Sequence, residues 1–247
     1  MATETAARAQ PATRPDTGEA IGVEGLVRRY GEREALAGVS TRLGQRQTLA
    51  VLGRNGAGKT TLLRVLATLL LPHAGVVRVL GLELPREAPA LRPRVGMLGH
   101  DTLLYRDLTA RENLTFYARL YQVPDPEARI GDLLDAVGMA RRSEEPVRSL
   151  SRGMAQRVAI CRAVLHRPEL LLLDEPYAHL DPEASALVEP LIGRAADATR
   201  VLVSHDVERV LAESDRVLGL RDGRVVVDAP AAEVTPGGIR SVYGDAR

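Results

Sequence analysis

Aromatic residues and cysteine are scarce in this sequence. Among its 247 residues there is no tryptophan, one phenylalanine and one cysteine. The single cysteine, Cys161, excludes an intrachain disulfide and fits a protein that folds in a reducing compartment. Hydrophobic residues at 45% and charged residues at 26% are an ordinary globular balance. The chain is therefore long enough to bury a full core in one domain, with room for a subdomain.

The sequence also lacks a strong net charge and a long apolar run. A formal net charge of +1 creates no field that attracts nucleic acid or an anionic membrane, so we expect no nucleic-acid partner. The longest apolar stretch, residues 62–71, is interrupted by Arg64 and is shorter than the ~18 residues that a membrane-spanning helix needs. Any role at a membrane must therefore come through a partner protein.

Lysine is the rarest charged residue, and its position is informative. Of the 33 Lys and Arg residues, only Lys59 is a lysine. It lies in the segment 53–60, Gly-Arg-Asn-Gly-Ala-Gly-Lys-Thr, between an apolar run typical of a buried strand and one typical of a helix. In this context, Gly-x-x-x-x-Gly-Lys-Thr predicts a phosphate-binding loop. A glycine-rich turn with an incidental lysine is the alternative, and the flanking segments argue against it.

The residues of this loop would hold a chain of phosphates in different ways. Glycines let the backbone take conformations that other residues resist, so that amide N–H groups and the helix N-terminus converge on the phosphates. A compact ammonium enters such a ring of amides more easily than a planar guanidinium does, so Lys59 would reach the β- and γ-phosphates. Thr60 would offer its hydroxyl to Mg²⁺. The predicted phosphate-binding residues are Gly53, Arg54, Asn55, Gly56, Ala57, Gly58, Lys59, Thr60 and Thr61.

Two adjacent carboxylates, Asp174 and Glu175, follow the four leucines 170–173. The end of a buried strand is where open α/β sheets bind their ligands. Asp174 can hold Mg²⁺ beside Thr60, and Glu175 can orient or deprotonate an attacking water. A solvated acidic turn is the alternative, which the phosphate-binding loop upstream disfavours.

A second anion site is predicted where Leu-Ser-Arg-Gly-Met, residues 150–154, precedes a helix that extends to about His166. Ser151 is an N-cap residue, and the helix N-terminus with Gly153 would bind an anion. A nucleotide already held by the phosphate-binding loop does not need this site in the same subunit.

The order of these motifs resembles that of the ATP-binding cassette (ABC) ATPases over about residues 21–228. The resemblance implies that Tyr30 stacks on adenine and that His205, after Ser204, contacts the γ-phosphate. It also implies that Ser151 and Gly153 reach the γ-phosphate held by the opposite subunit of a dimer. The pair Leu180-Asp181 would then cross the dimer interface. A turn tyrosine and a structural histidine are the alternatives for Tyr30 and His205.

The sequence departs from the family pattern in two places. Arg152 and Met154 replace the usual Gly and Gln of the signature motif, which leaves the helix N-terminus intact and adds positive charge. His100, followed by Asp101, replaces a glutamine that helps to hold Mg²⁺ at the end of the predicted strand 94–99. Either side chain could approach the metal, and simple surface residues are the alternative, so metal coordination by His100 is left open.

Alternating strands and helices predict an α/β fold. The resemblance implies a P-loop NTPase of the ABC ATPase type, with a mainly parallel sheet, an antiparallel β subdomain and an inserted helical subdomain at about 101–166. Residues 1–20 are predicted as a disordered tail, 21–235 as the ABC ATPase domain and 236–247 as a C-terminal tail.

The resemblance implies an enzyme that binds ATP and Mg²⁺ and hydrolyses ATP with Lys59, Glu175 and His205. It would pair with a second copy or another ATPase subunit on a membrane permease, at the cytoplasmic face. A soluble ABC mechanoenzyme is disfavoured because Ser151 follows Lys59 by only 92 positions without sustained heptads. A P-loop kinase would leave the signature motif unexplained. Segments around Leu98-Gly99-His100 and 108–117 resemble the ATPase of the cytochrome c maturation haem exporter, and drug and ABC-2-type exporters share them.

Overall fold

The computed structural model describes residues 18–243, which contain ten strands and eight α-helices. The strands are β1 (Glu19–Tyr30), β2 (Arg33–Gly44), β3 (Thr48–Leu52), β4 (Ala74–Val79), β5 (Leu82–Leu84), β6 (Val95–Leu98), β7 (Leu170–Asp174), β8 (Thr199–Val203), β9 (Arg216–Arg221) and β10 (Arg224–Pro230). The helices are α1 (Lys59–Leu66), α2 (Ala88–Leu91), α3 (Ala110–Leu120), α4 (Pro126–Ala136), α5 (Arg152–Val164), α6 (Pro182–Ile192), α7 (Val207–Glu213) and α8 (Pro236–Tyr243).

A six-stranded sheet in the order β10-β9-β3-β8-β7-β6 forms the centre of the fold, and only β10 runs antiparallel to its neighbour. Strands β3, β7 and β8 are buried at every position because both faces of the sheet are covered, which explains why most of their residues are apolar. The carboxyl ends of these three strands meet at one edge. The predicted mainly parallel sheet is confirmed.

The two faces of this sheet contribute to two cores, because side chains alternate along a strand. Leu170 and Leu172 of β7 pack in a core with α1 and the second sheet, which is antiparallel in the order β2-β1-β4-β5. Leu171 and Leu173 pack in a core with α3, α4 and α5. The predicted antiparallel subdomain and inserted helical subdomain are both present.

Two reciprocal hydrogen bonds fix the start of helix α3. Glu112 N–H donates to Thr109 Oγ1 at 3.0 Å, and Thr109 N–H donates to Glu112 Oε2 at 2.8 Å, which forms a capping box. None of the helices within residues 18–243 is both long enough and apolar enough to cross a membrane.

The ends of the described chain differ from the predicted tails. Strand β1 begins at Glu19, inside the range assigned to the N-terminal tail, whereas residues 1–17 lie outside the described residues. At the other end, the predicted C-terminal tail contains helix α8, and Val242 is fully buried against Gly219 of β9. The Pro-Gly-Gly start of α8 is a weak helix signal, so its helicity depends on this tertiary packing.

Candidate nucleotide-binding site

A cleft of about 750 Å³ at the carboxyl edge of the central sheet brings most of the predicted site residues together. The predicted residues that line it are Tyr30, Asn55, Gly56, Gly58, Lys59, Thr60, Thr61, His100, Asp174, Glu175 and His205. They come from β1, the loop between β3 and α1, the segment after β6, and the ends of β7 and β8. Gly53, Arg54 and Ala57 complete the loop without lining the cleft. The roles assigned to all these residues stay predictions.

The loop between β3 and α1 takes a conformation that needs glycine at two positions. Gly58 has φ 110°, and a Cβ there would lie 2.5 Å from the Ala35 carbonyl oxygen. Gly53 has φ 155°, and a Cβ there would lie 2.5 Å from the Leu220 carbonyl oxygen. Neither position accepts a side chain without movement of the backbone. The tight loop aims the N-terminus of α1 into the cleft, where it can bind an anion.

Lys59 is the first residue of α1, directly after this loop. Its Nζ donates to the carbonyl oxygen of Gly53 at 2.6 Å and to that of Arg54 at 3.1 Å. Burial lowers the pKa of Lys59, and the charges of Asp174 and Glu175 oppose that shift. Backbone carbonyls thus hold the ammonium beside the space that a phosphate would fill.

The Thr60 hydroxyl donates to Asp174 Oδ2 at 2.8 Å and so connects α1 to the end of β7. A hydroxyl and a carboxylate at this distance are hard oxygen ligands that suit Mg²⁺. No group of three or more His, Cys, Asp or Glu side chains that could hold a metal exists within residues 18–243. The pair therefore fits an Mg²⁺ ion that completes its coordination with phosphate oxygens and water, as this ion usually does. His100 is exposed at the same cleft.

Glu175 has a strained backbone and an unusual carboxylate. Its φ of 52° is uncommon for a residue other than glycine, and such strain is concentrated at functional sites. Burial raises the pKa of Glu175, and the neighbouring His205 lowers it. Oε1 is buried, has no hydrogen-bond partner among the described residues and lies 3.5 Å from His205 Nε2. A carboxylate oxygen that accepts no hydrogen bond and lies beside an imidazole is well suited to accept a proton.

Three further features of the cleft concern its rim. Tyr30 is 46% exposed, with the Arg28 guanidinium 5.2 Å from the centre of its ring. Arg33 donates from Nη2 to the Gly56 carbonyl oxygen at 3.0 Å, and His179 lines the cleft with φ 65°. Sequence reasoning missed Arg33 and His179 because neither belongs to a motif, and only the fold brings them to the cleft.

The signature segment lies outside the cleft of its own chain. Ser151 caps α5, since its Oγ accepts from Met154 N–H at 3.2 Å. A Cβ on Gly153 would lie 2.6 Å from the His179 carbonyl oxygen, so glycine is needed where the helix meets the loop after β7. Neither Ser151 nor Gly153 lines the cleft, and Ser151 and Arg152 are exposed. The helix N-terminus is therefore available to another subunit.

Comparison with known proteins agrees with this geometry. A family model described as ABC transporter matches residues 36–178, more than half of the chain. The chain belongs to the ABC transporter family. It is an ABC-type ATPase domain by sequence and by fold.

Similar proteins include a daunorubicin resistance ATP-binding protein, DrrA3, of Streptomyces coeruleorubidus, with 38% identity over 87% of this chain and 69% of that protein. The phosphonates import ATP-binding protein PhnC of Anaeromyxobacter dehalogenans is 38% identical over 96% of this chain. The chain spans about half the length of that relative, 52%. A solved ATP-binding subunit of an ABC transporter superposes with a TM-score of 0.79 at 27% identity, over 85% of this chain and 90% of that one.

Proposed function

We propose that this chain is the ATP-hydrolysing subunit of an ABC exporter and that it drives a separate membrane permease from the cytoplasmic face. The observation that carries this proposal is the single cleft that combines three elements: the loop around Lys59, the Thr60–Asp174 pair and the Glu175–His205 pair. Hydrolysis of a phosphoanhydride needs a phosphate cradle, a metal ligand set and a base, and each element matches one of these needs.

Substrate binding uses groups already directed into the cleft. The amides of the loop and of the first turn of α1 hold the β- and γ-phosphates, and Lys59 exchanges its bonds to loop carbonyls for bonds to phosphate oxygens. Tyr30, half exposed at the rim, offers a ring face to the adenine. Mg²⁺, held by Thr60 and Asp174, would neutralise phosphate charge when bound.

Proton transfer falls to the partly buried Glu175 carboxylate. Glu175 Oε1 accepts the proton of the attacking water, and its raised pKa brings the carboxylate closer to the working pH of a general base. His205, 3.5 Å away, donates a hydrogen bond to the γ-phosphate and so fixes the direction of attack.

A second subunit completes the site. Because Ser151 and Gly153 do not line their own cleft, the N-terminus of α5 serves the cleft of a partner, in a head-to-tail pair. Each ATP then bridges two subunits, and its hydrolysis releases them. The permease converts this closing and opening into transport.

Export is proposed from the similarity to DrrA3, whereas PhnC, of equal identity, is named for import. Haem export in cytochrome c maturation, the finer expectation from the sequence, receives no support from either name. Transport by vesicles that contain the co-purifying permease tests the direction: ATP-driven movement out of the cytoplasmic side supports export, and uptake refutes it.

Complementation of two inactive variants tests the shared site. Lys59→Ala damages the cleft and Ser151→Arg damages the signature segment, so each variant alone should lose Mg-ATPase activity. A mixture contains heterodimers with one intact composite site, and we expect activity to return to about a quarter of the wild-type rate if subunits pair at random. A mixture as inactive as its components would refute the head-to-tail pair.

A further inference from the structure

We propose that Tyr177 and Arg209 form a bridge that positions Glu175 relative to His205, a role that rests on the proposed hydrolysis at this site. Tyr177 lies two residues after Glu175, in the loop that follows β7. Arg209 lies four residues after His205, on α7. The two side chains thus belong to the two segments that directly follow the candidate base and the candidate γ-phosphate ligand.

The contact between these side chains is close and specific. The Arg209 guanidinium carbon lies 3.3 Å from the centre of the Tyr177 ring, which is a cation–π contact. The Tyr177 hydroxyl donates to Glu189 Oε2 at 2.7 Å, and Arg209 Nη2 donates to the same oxygen at 2.9 Å. Arg209 Nε also donates to Glu213 Oε1 at 2.8 Å. One carboxylate oxygen on α6 therefore holds both members of the bridge.

Hydrogen bonds hold both ends of the bridge. Burial, and then the hydrogen bond to Glu189, raise the pKa of Tyr177 far above its usual value, and the phenol is a donor at neutral pH. On α7, the backbone N–H of Arg209 donates to Asp206 Oδ1 at 3.0 Å, which makes Asp206 the N-cap of the helix, and Asp206 directly follows His205. The helix that carries the Arg209 side chain thus begins at the residue beside the imidazole.

The bridge adds to a connection at the strand ends. There, the Glu175 N–H donates to the Val203 carbonyl oxygen at 2.9 Å, and His205 Nε2 lies 3.5 Å from Glu175 Oε1. Next to these contacts lies a cleft of about 550 Å³, whose lining includes Glu175, Ser204 and Arg209. Loss of the bridge would therefore leave the loop that carries His205 with fewer contacts to the loop that carries Glu175.

Steady-state kinetics of the full-length chain test the positioning role. We expect Tyr177→Ala and Arg209→Gln each to lower kcat by ~10- to 100-fold, the effect of a misplacement near 1 Å, while KM for ATP stays near the wild-type value. Tyr177→Phe keeps the ring contact and loses only the hydroxyl bond to Glu189, so it should lower kcat less than Tyr177→Ala does. Glu208→Gln, at an exposed position on the same helix, is the matched control.

The double variant separates a bridge from two independent stabilising residues. If the pair acts as one unit, Tyr177→Ala with Arg209→Gln should lose no more kcat than the worse single variant. Multiplied losses, or losses of kcat that only follow the melting temperature, would overturn the proposal. Arg209→Gln alone carries the test if Tyr177→Ala does not fold.

Hydrogen exchange provides a readout that does not depend on hydrolysis. In Tyr177→Ala we expect faster amide exchange in residues 204–213, with β7 and β8 unchanged, because Arg209 loses its contact with the loop after β7 and keeps only its bonds to Glu189 and Glu213. Unchanged exchange in that segment would overturn the bridge even if the chain hydrolyses ATP. A wild-type chain without ATPase activity would instead refute the proposed function, and hydrogen exchange would still decide whether the bridge exists.

Discussion

Replacement of Glu175 by glutamine separates the stability cost of a buried carboxylate from its use in hydrolysis. The substitution keeps the size and shape of the side chain and removes its charge. Oε1 has no hydrogen-bond partner within residues 18–243 and lies 3.5 Å from His205 Nε2, so the amide gives up the attraction to the imidazole and no hydrogen bond of that oxygen. General base catalysis contributes ~10²- to 10⁴-fold, so we expect kcat to fall by that factor, which is about 3–5 kcal/mol of transition-state stabilisation.

The same substitution should raise stability at neutral pH. The pKa of Glu175 is raised in the folded chain above its unfolded value, chiefly by burial. The stability associated with such a group is complete below the unfolded pKa of ~4.3 and is lost as the pH rises through the folded pKa. Glutamine avoids this loss, so its melting temperature should exceed that of wild type at about pH 7.5 and exceed it by less at about pH 5.

The assays are a coupled ATPase measurement and thermal unfolding at both pH values, with Glu233→Gln as an exposed control outside the cleft. A glutamine variant with full activity would remove Glu175 from the role of base. A variant less stable than wild type at about pH 7.5 would show that attraction to His205 and Lys59 outweighs the burial of the carboxylate.

Three further predictions concern other parts of the chain. Lys59→Ala should weaken binding of a fluorescent ATP analogue by ~10- to 100-fold, the worth of charged hydrogen bonds, and unchanged affinity would argue against the phosphate-binding loop. His100→Gln should keep the wild-type ATPase rate, because His100 is exposed and the amide, like a neutral imidazole, has both a hydrogen-bond donor and an acceptor. A complete loss of activity would show that the reaction needs the imidazole itself. Arg200 is 1% exposed and donates to Thr48 and to the carbonyl oxygens of Ile192 and Glu213. Arg200→Met should therefore lower the free energy of unfolding, measured in urea, by ~3–5 kcal/mol. A loss below ~1 kcal/mol would contradict this reasoning.

The parts of the site that the sequence predicts are those whose chemistry is local. The phosphate-binding loop and the Asp174–Glu175 pair need particular residues at adjacent positions, beside strands with strong apolar signals, and the structure brings both to one cleft. Arg33 reaches the same cleft from β2, and no local pattern marks it.

The parts that the sequence does not predict depend on tertiary contacts. Helix α8 has a Pro-Gly-Gly start and needs the packing of Val242 on β9. The contact of Tyr177 with Arg209 joins residues separated by 32 positions, each of which is unremarkable in its own segment. Such pairings follow from the arrangement of strands, and periodicity or motif spacing does not reveal them.

Because the chain has one lysine, the reactivity of Lys59 reports on opening of the phosphate-binding loop. Amine-directed acylating reagents have a single side-chain target, Lys59, which is 7% exposed and whose ammonium is bound to loop carbonyls. An increase in intact mass beyond labelling of the N-terminal amine therefore measures how often the loop opens. A lysine-specific protease likewise has one cleavage position, and the yield of its two fragments gives the same quantity without any probe attached to the nucleotide.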